Sequence, residues 1–253
     1  MGEESRIQWT KHSYSPWWGC VEVSEACDHC YARELAHRWA FDVWGKEAPR
    51  RFFGDKHWNE PLKWDRKGQA AGERHRVFCS SMADVFEVRD DLDAPRARLW
   101  DLIRKTPNLN WLLLTKRPEQ MPGMAPWGKE WPDNVWAGTT VERQKWARIR
   151  IPKLAKVPAT VRFLSVEPLL EEIDLSPWLE EIDWVIVGCE SGSKAREMNW
   201  DWVRKLRDQC VGSGISFFLK QGMVDGKLEG LPKLDGMEWA QVPAGSAKCS
   251  ERS

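Results

Sequence analysis

Three thiols fall within eleven residues near the start of the chain, in the run Trp18-Gly19-Cys20-Val21-Glu22-Val23-Ser24-Glu25-Ala26-Cys27-Asp28-His29-Cys30-Tyr31. Ala32, Leu35, Ala36 and Trp39 then recur at helical spacing, with Asp28 available as an N-cap. The spacing predicts that Cys30 lies in the first turn of a helix, where the helix terminus favours thiolate and an anionic metal cluster. Zinc would close a structural tetrahedron on the three thiols only with a fourth donor, for which His12, His29 and His37 are candidates. A cubane iron–sulfur cluster on three cysteines leaves one iron open to a ligand. Plain burial of the cysteines is the third reading. The lack of a nearby fourth cysteine favours the open cluster, and spacing alone leaves all three standing.

The rest of the chain shows what must position these thiols. Apolar runs rich in β-branched or aromatic residues at 76–81, 111–115, 135–140, 162–167, 184–189 and 215–220 read as buried strands, preceded by a first strand at 13–18. Between them lie segments of helical period, such as Leu92, Leu99, Leu102 and Ile103, or Trp202, Val203, Leu206 and Cys210. This alternation predicts a parallel sheet in an α/β fold, a partial (β/α)6-type TIM-like barrel in preference to an open doubly wound sheet. The cysteine loop then lies between the first strand and the first helix, on the face where such barrels carry their chemistry. Most strands end in polar residues: Ser81 to Asp84, Thr115 to Arg117, Thr139 to Glu142, Glu167, Glu190 and Ser191, and Lys220 and Gln221. Some of these could simply cap the next helix. A carboxylate at an apolar strand end, as with Glu167 and Glu190, needs a partner or a function, and Lys220 and Arg117 are candidate partners.

Composition narrows the class. Lys plus Arg equals Asp plus Glu at 38 each, so nucleic-acid affinity must be local, and the basic stretch from Arg143 to Lys156 reads first as a solvated helix face. Seven cysteines in 253 residues are too sparse for a disulfide framework, and their odd number favours thiolates or metal ligation. No apolar run approaches a membrane span and the first residues lack a secretory pattern, so a cytoplasmic protein is expected. Most of the eighteen tryptophans are expected in core packing. Residues 41–72 show no clear period and read as an insertion or lid on a barrel of residues 1–222. Residues 223–253 read as a C-terminal extension with a frayed polar tail from 244.

Eight motifs occur together and in order: Ile7-Gln-Trp9-Thr10, Gly19-Cys20 to Cys30-Tyr31-Ala32, Met82-Ala-Asp84-Val-Phe86, Leu114-Thr115-Lys116-Arg117-Pro118, Gly138-Thr-Thr140-Val-Glu142, Ser165-Val-Glu167-Pro168-Leu, Gly188-Cys189-Glu190-Ser-Gly192 and Phe218-Leu-Lys220-Gln221. In this the chain resembles a phage-borne family of radical S-adenosylmethionine enzymes, long described as phage proteins of unknown function. The superfamily usually spaces its cysteines by three residues and then two, whereas the first gap here is six. The family usually has a second glycine where Cys189 stands, and often an aromatic residue where Gly222 stands.

The resemblance implies a 4Fe-4S cluster on Cys20, Cys27 and Cys30, with S-adenosylmethionine on the strand ends. Ser80, Ser81 and Asp84 would meet the methionine amino group, and Thr139, Thr140 and Glu142 the ribose hydroxyls, with Thr115 and Glu167 in the same cofactor set. Lys116, Arg117, Glu190, Lys220 and Gln221 would contact substrate. Glu190 and Cys189 are the candidate catalytic residues, Cys189 as a hydrogen-atom donor, although inert packing is the ordinary state of a buried cysteine. Members occur near genes for modified DNA bases, and the superfamily includes a lyase that repairs DNA photoproducts. The expected function is therefore an isomerase or lyase that abstracts hydrogen from a nucleotide-like substrate, first among them a hypermodified thymine in phage DNA, acting in the host cytoplasm. It would be a monomer served by a flavodoxin-like or ferredoxin-like electron donor. The rival class is a zinc-stabilised nucleic-acid-binding protein without chemistry.

Overall fold

The computed structural model describes residues 4–192 and 194–244. Ten strands and seven α-helices follow in the order β1 (His12–Tyr14), β2 (Trp17–Trp18), α1 (Tyr31–Arg38), β3 (Arg51–Phe52), α2 (Asp55–Trp58), α3 (Glu60–Ala71), β4 (His75–Cys79), α4 (Asp93–Arg104), β5 (Leu109–Thr115), α5 (Met121–Met124), β6 (Val135–Thr140), α6 (Gln144–Leu154), β7 (Arg162–Val166), β8 (Trp184–Gly188), α7 (Trp200–Gly212), β9 (Ser216–Val224) and β10 (Lys227–Gly230). Eight strands form one sheet in the order β1-β4-β5-β6-β7-β8-β9-β10, whose ends do not meet. Every pairing is parallel except the β9–β10 hairpin. The fold is thus the mostly parallel, incomplete α/β barrel expected from the alternating pattern.

Two expectations change in detail. The first strand is not continuous over 13–18, because Pro16 has no N–H to give a ladder. β1 stays in the barrel beside β4, while β2 leaves to pair antiparallel with β3. Residues 41–72 are not irregular throughout, since they hold α2 and the twelve-residue α3. α3 starts with Pro61 in its first turn and ends at left-handed Gly72, and it packs Trp64 into the core behind the sheet. The segment after β9 is ordered as far as it is described: Leu219 donates its N–H to the Trp239 carbonyl at 2.8 Å and Gln241 its N–H to Phe217 at 3.1 Å. The frayed tail expected from 244 lies, beyond Ala244, outside the described residues.

The period-2 rule sorts every strand into two faces. Outward residues such as Val77, Trp111, Leu113, Ala137, Leu164, Val185 and Phe217 pack on Leu99, Leu102, Val203 and Leu206 of the helices. Inward residues Phe78, Leu112, Trp136, Phe163, Trp184, Ile186 and Phe218 join Trp9 in a second core that plugs the barrel. Its rings meet tilted or edge-on, Trp9 with Phe78 at 4.8 Å and Trp136 with Trp184 at 6.0 Å. Gly138 is required there, since a Cβ would lie 2.3 Å from Phe163. Ten of the tryptophans are buried, so packing accounts for most of them. No helix among the described residues is long and apolar enough to cross a membrane.

Candidate functional site

The plug stops short of the strand C-termini and leaves a cavity of about 360 Å³ above it. The residues that face it continue the inward series: Ser80 after Phe78, Lys116 after Leu114, Thr140 after Gly138, Ser165 and Glu167 after Phe163, and Lys220 after Phe218. Parity thus accounts for this part of the lining, which Thr115, Arg117 and Cys189 join from beyond the series.

Cys20, Cys27 and Cys30 all line this cavity. Cys20 is placed by Gly19, whose φ of +114° is open to glycine and strained for other residues. Gly19 donates its N–H to Met82 O at 3.0 Å, and the Cys20 carbonyl accepts from Gly45 N–H at 3.0 Å. Cys27 closes a single 3-10 turn from Glu25, and its sulfur lies 3.5 Å from the Val23 N–H. Cys30 is itself the N-cap residue of α1, one position earlier than expected, which leaves Asp28 two residues before the cap with its carboxylate 3.3 Å from Arg196. Tyr31 OH donates to Ser81 O at 2.9 Å, joining α1 to the end of β4.

The other expected site residues divide into those the cavity gathers and those it does not. Ser80, Ser81, Asp84, Thr115, Lys116, Arg117, Thr140, Glu167, Cys189, Glu190, Lys220 and Gln221 line it. Thr139 and Glu142 do not. Thr139 has outward parity and donates its hydroxyl to Thr115 O at 2.8 Å. Glu142 is fully buried beyond the strand, where its Oε2 accepts from Arg150 Nη1 of α6 at 2.8 Å. Neither is available to ribose hydroxyls in this cavity. The basic stretch is largely consumed in the same way: besides Arg150, Arg143 pairs with Glu171, Lys145 with Glu25 and Lys153 with Glu119.

The carboxylates of the wall are also partnered. Asp84 accepts from the Thr115 hydroxyl at 2.7 Å, the Phe86 and Lys116 N–H groups at 3.0 and 3.2 Å, and Arg117 Nη1 at 2.8 Å. Arg117 also donates to Val21 O at 3.0 Å and points Nη1 at Cys20 Sγ, 4.0 Å away. Burial opposes its charge, but Asp84 and Cys20 hold the guanidinium above its ordinary pKa. Glu167 pairs with Lys220 at 2.9 Å, and Gly188 leaves room for it, since a Cβ there would lie 2.7 Å from Glu167 Oε1. Glu190 accepts from His29 Nδ1 at 2.9 Å and from Arg196 N–H and Nε at 2.8 and 3.1 Å. Burial works against its ionisation, yet Arg196 and His29 keep the carboxyl below its usual range. Burial pushes the Cys20 thiol up to about 12, with Asp84 adding and Arg117 opposing. Cys189 is buried at the wall, and burial likewise raises its thiol. Among the described residues lining the cavity, Lys116 is a half-buried cation outside any ion pair.

Sequence reasoning passed over Arg196, which ties the cysteine loop to the end of β8 by donating to Glu25 O at 2.7 Å as well as to Glu190. A lone arginine in a loop of no period gives no signal of that kind. It also passed over Trp200, whose ring lies 2.5 Å from where a Cβ at Gly222 would stand, so that position is held to glycine.

Three thiols on one cavity wall are the donor type that an iron–sulfur cluster takes. Among the described residues no three His, Cys, Asp or Glu groups are gathered as one metal ion requires. Tetrahedral zinc would bring its sulfurs to roughly 4 Å from one another. A cubane takes each thiolate on a separate iron and so asks for donors spread around a cavity wall. Of the three histidines considered for zinc, His12 and His37 do not line the cavity, and His29 does but is engaged by Glu190.

Solved structures of spore photoproduct lyase share this fold. One complexed with dinucleoside spore photoproduct superposes with a TM-score of 0.53 at 11% identity, over 84% of this chain and 75% of the other. A cysteine-to-serine mutant gives 0.51 at 12% identity with the same coverage. A further mutant with bound AdoMet and the dinucleoside gives 0.48 at 11%, and of that chain this one spans 63%, less than two thirds. No curated protein sequence matches. The sequence does match one family over residues 4–243, nearly all of its length, and the chain belongs to that family, described as protein of unknown function DUF5131.

Proposed function

We propose that the chain is a radical S-adenosylmethionine enzyme acting on a nucleotide-like substrate. The observation that carries the reading is the common cavity: three thiols of one loop face the polar ends of the inward strand series above an aromatic plug. A cluster held by Cys20, Cys27 and Cys30, with one iron open, would supply the reductive cleavage of S-adenosylmethionine to methionine and a 5'-deoxyadenosyl radical when given an electron by a flavodoxin-like or ferredoxin-like donor. The chain's own part is to bind, orient and exclude water. Ser80, Ser81 and Thr140 offer hydroxyls to the polar parts of the cofactor, and the plug closes the floor. Lys116 offers a positive charge for a phosphate or carboxylate. The Glu167–Lys220 pair and Gln221 form the opposite wall, where a base could exchange hydrogen bonds.

Likeness of fold to a lyase solved with a dinucleoside photoproduct supports, by analogy, a pyrimidine-like substrate. Rearrangement of a hypermodified thymine is the first candidate and lesion cleavage the second, with Cys189 as the hydrogen-atom donor to a product radical in either.

Anaerobic reconstitution tests the class. Broad absorption near 400 nm with about four irons per chain is expected, lost on replacing any of the three cysteines by alanine, together with formation of 5'-deoxyadenosine from S-adenosylmethionine under dithionite. A colourless protein carrying one zinc per chain overturns the reading in favour of the non-catalytic binder.

A further inference from the structure

Arg117 stands in the Leu114-Thr115-Lys116-Arg117-Pro118 motif and would ordinarily be assigned to a substrate anion. Its surroundings give it other work. The side chain is 13% exposed, and its guanidinium spans three groups: the Asp84 carboxylate at 2.8 Å, the Val21 carbonyl at 3.0 Å and the Cys20 sulfur at 4.0 Å, the last two in the cysteine loop. Asp84 cannot follow an incoming ligand, because the Thr115 hydroxyl and the Phe86 and Lys116 N–H groups fix it. The arginine is therefore held with one N–H directed at a thiolate donor, and its charge is spent inside the protein.

We infer that the Asp84–Arg117 pair sets the reduction potential of a cluster on Cys20, an inference that rests on the iron–sulfur reading above. Reduction adds negative charge to the cluster, and a fixed cation with an N–H toward a ligand sulfur favours the reduced state. Asp84 has the opposite sign and works against it. Glu87 and Lys116 also act on Cys20 electrostatically, the one against added negative charge and the other for it. Glu87 is itself neutralised by Arg50 at 2.6 Å. The two partners of the pair thus pull the potential in opposite directions.

The test is a redox titration of reconstituted full-length protein, followed by cluster absorbance and electron paramagnetic resonance, with iron content measured for each preparation. Wild-type protein that takes up no cluster defeats the iron–sulfur reading itself. With the wild type loaded, Arg117→Gln is expected to move the midpoint to more negative values and Asp84→Asn to more positive ones. The double variant should return toward the wild type, and Arg117→Lys should fall between wild type and Arg117→Gln. Loaded variants whose midpoints stay at the wild-type value, or shift in the same direction, overturn the inference while leaving the cluster assignment intact. If Arg117→Gln takes up no iron, Asp84→Asn decides: a positive shift upholds the inference, and no shift or loss of the cluster overturns it in favour of a scaffold role.

Discussion

Gly19 determines where Cys20 can be. With its φ in the left-handed half of the map and the Val43 carbonyl 2.3 Å from where a Cβ would stand, the residue admits no side chain unless the segment carrying Val43 and Arg50 shifts. Gly19→Ala is expected to cost about 2 kcal/mol in denaturant unfolding and to lower iron uptake, whereas alanine at Gly45, which has the same φ and open space around it, should cost less and leave iron uptake closer to wild type. Equal iron content in the two variants would remove Gly19 from the site. At this scale the sequence was informative about donors and silent about partners. The three thiols announced themselves by density. The destinations of Asp84, Glu190 and Arg117 did not, because the Thr115, His29 and Val21 groups that meet them lie 31, 161 and 96 residues away. His29 was visible as a possible metal donor, and only tertiary structure reveals that Glu190 engages it.

Between residues and fold stands the strap from β8 to the cysteine loop. Arg196 bonds Glu25 O, Asp28 and Glu190, and Glu190 in turn holds His29, so the turn carrying Cys27 and Cys30 is clamped from both flanks. Lys145 and Trp146 of α6 hold Glu25 from the other side. Replacing Arg196 by alanine should leave Glu190 buried beside a half-empty partner set and free one end of the loop. Amide exchange is expected to quicken by about tenfold or more over 21–30, with the barrel strands unchanged and apoprotein stability lowered by less than a core deletion would cost. Uniform acceleration across the sheet, or none in the loop, counts against the strap. The strands themselves were legible to within a few residues, because alternating apolar residues mark them, and so was the end of the sheet that carries polar groups. What the pattern of strand ends did not supply was parity. Thr139 and Thr140 are equally polar and adjacent, yet only Thr140 shares the inward phase of Trp136 and Gly138. Glu142 escapes for a different reason, since α6 returns Arg150 to it within the same β/α unit.

Over the whole molecule the two ends of the barrel differ in chemistry. The upper end is polar and open, while the lower end holds the aromatic plug and, on the β1–β4 side, a row of ionisable groups. His12 Nε2 lies 3.1 Å from His75 Nδ1, His75 Nε2 lies 2.9 Å from Lys11 Nζ, and Glu73 reaches both Lys11 and His75 at 3.2 Å. The His12 ring stacks on Trp64 of α3 at 4.6 Å. Composition shows five histidines and nothing of this pairing, which depends on the parallel register that sets His12 opposite Val77. Burial, then His75, then Lys11 lower the His12 pKa to about 4. Burial lowers that of His75 too, against the pull of Glu73. The native state thus keeps His12 neutral at pH values where the unfolded chain, titrating near 6.5, has taken up its proton. Above that value both states are neutral and stability owes nothing to the difference. Stability must fall as pH drops from about 6.5 toward about 4, by roughly 2 kcal/mol at pH 5 from His12, and level off below. Carboxylates whose pKa is depressed, Glu25 and Glu190 among them, act at the more acid end of this range and beyond it. Urea unfolding of wild type and His12→Gln at pH 7.5, 6 and 5 separates the contributions. The variant starts less stable, having lost the stack on Trp64, but its curve should decline less steeply between pH 7.5 and 5, and parallel curves would show that His12 is not held neutral by its burial.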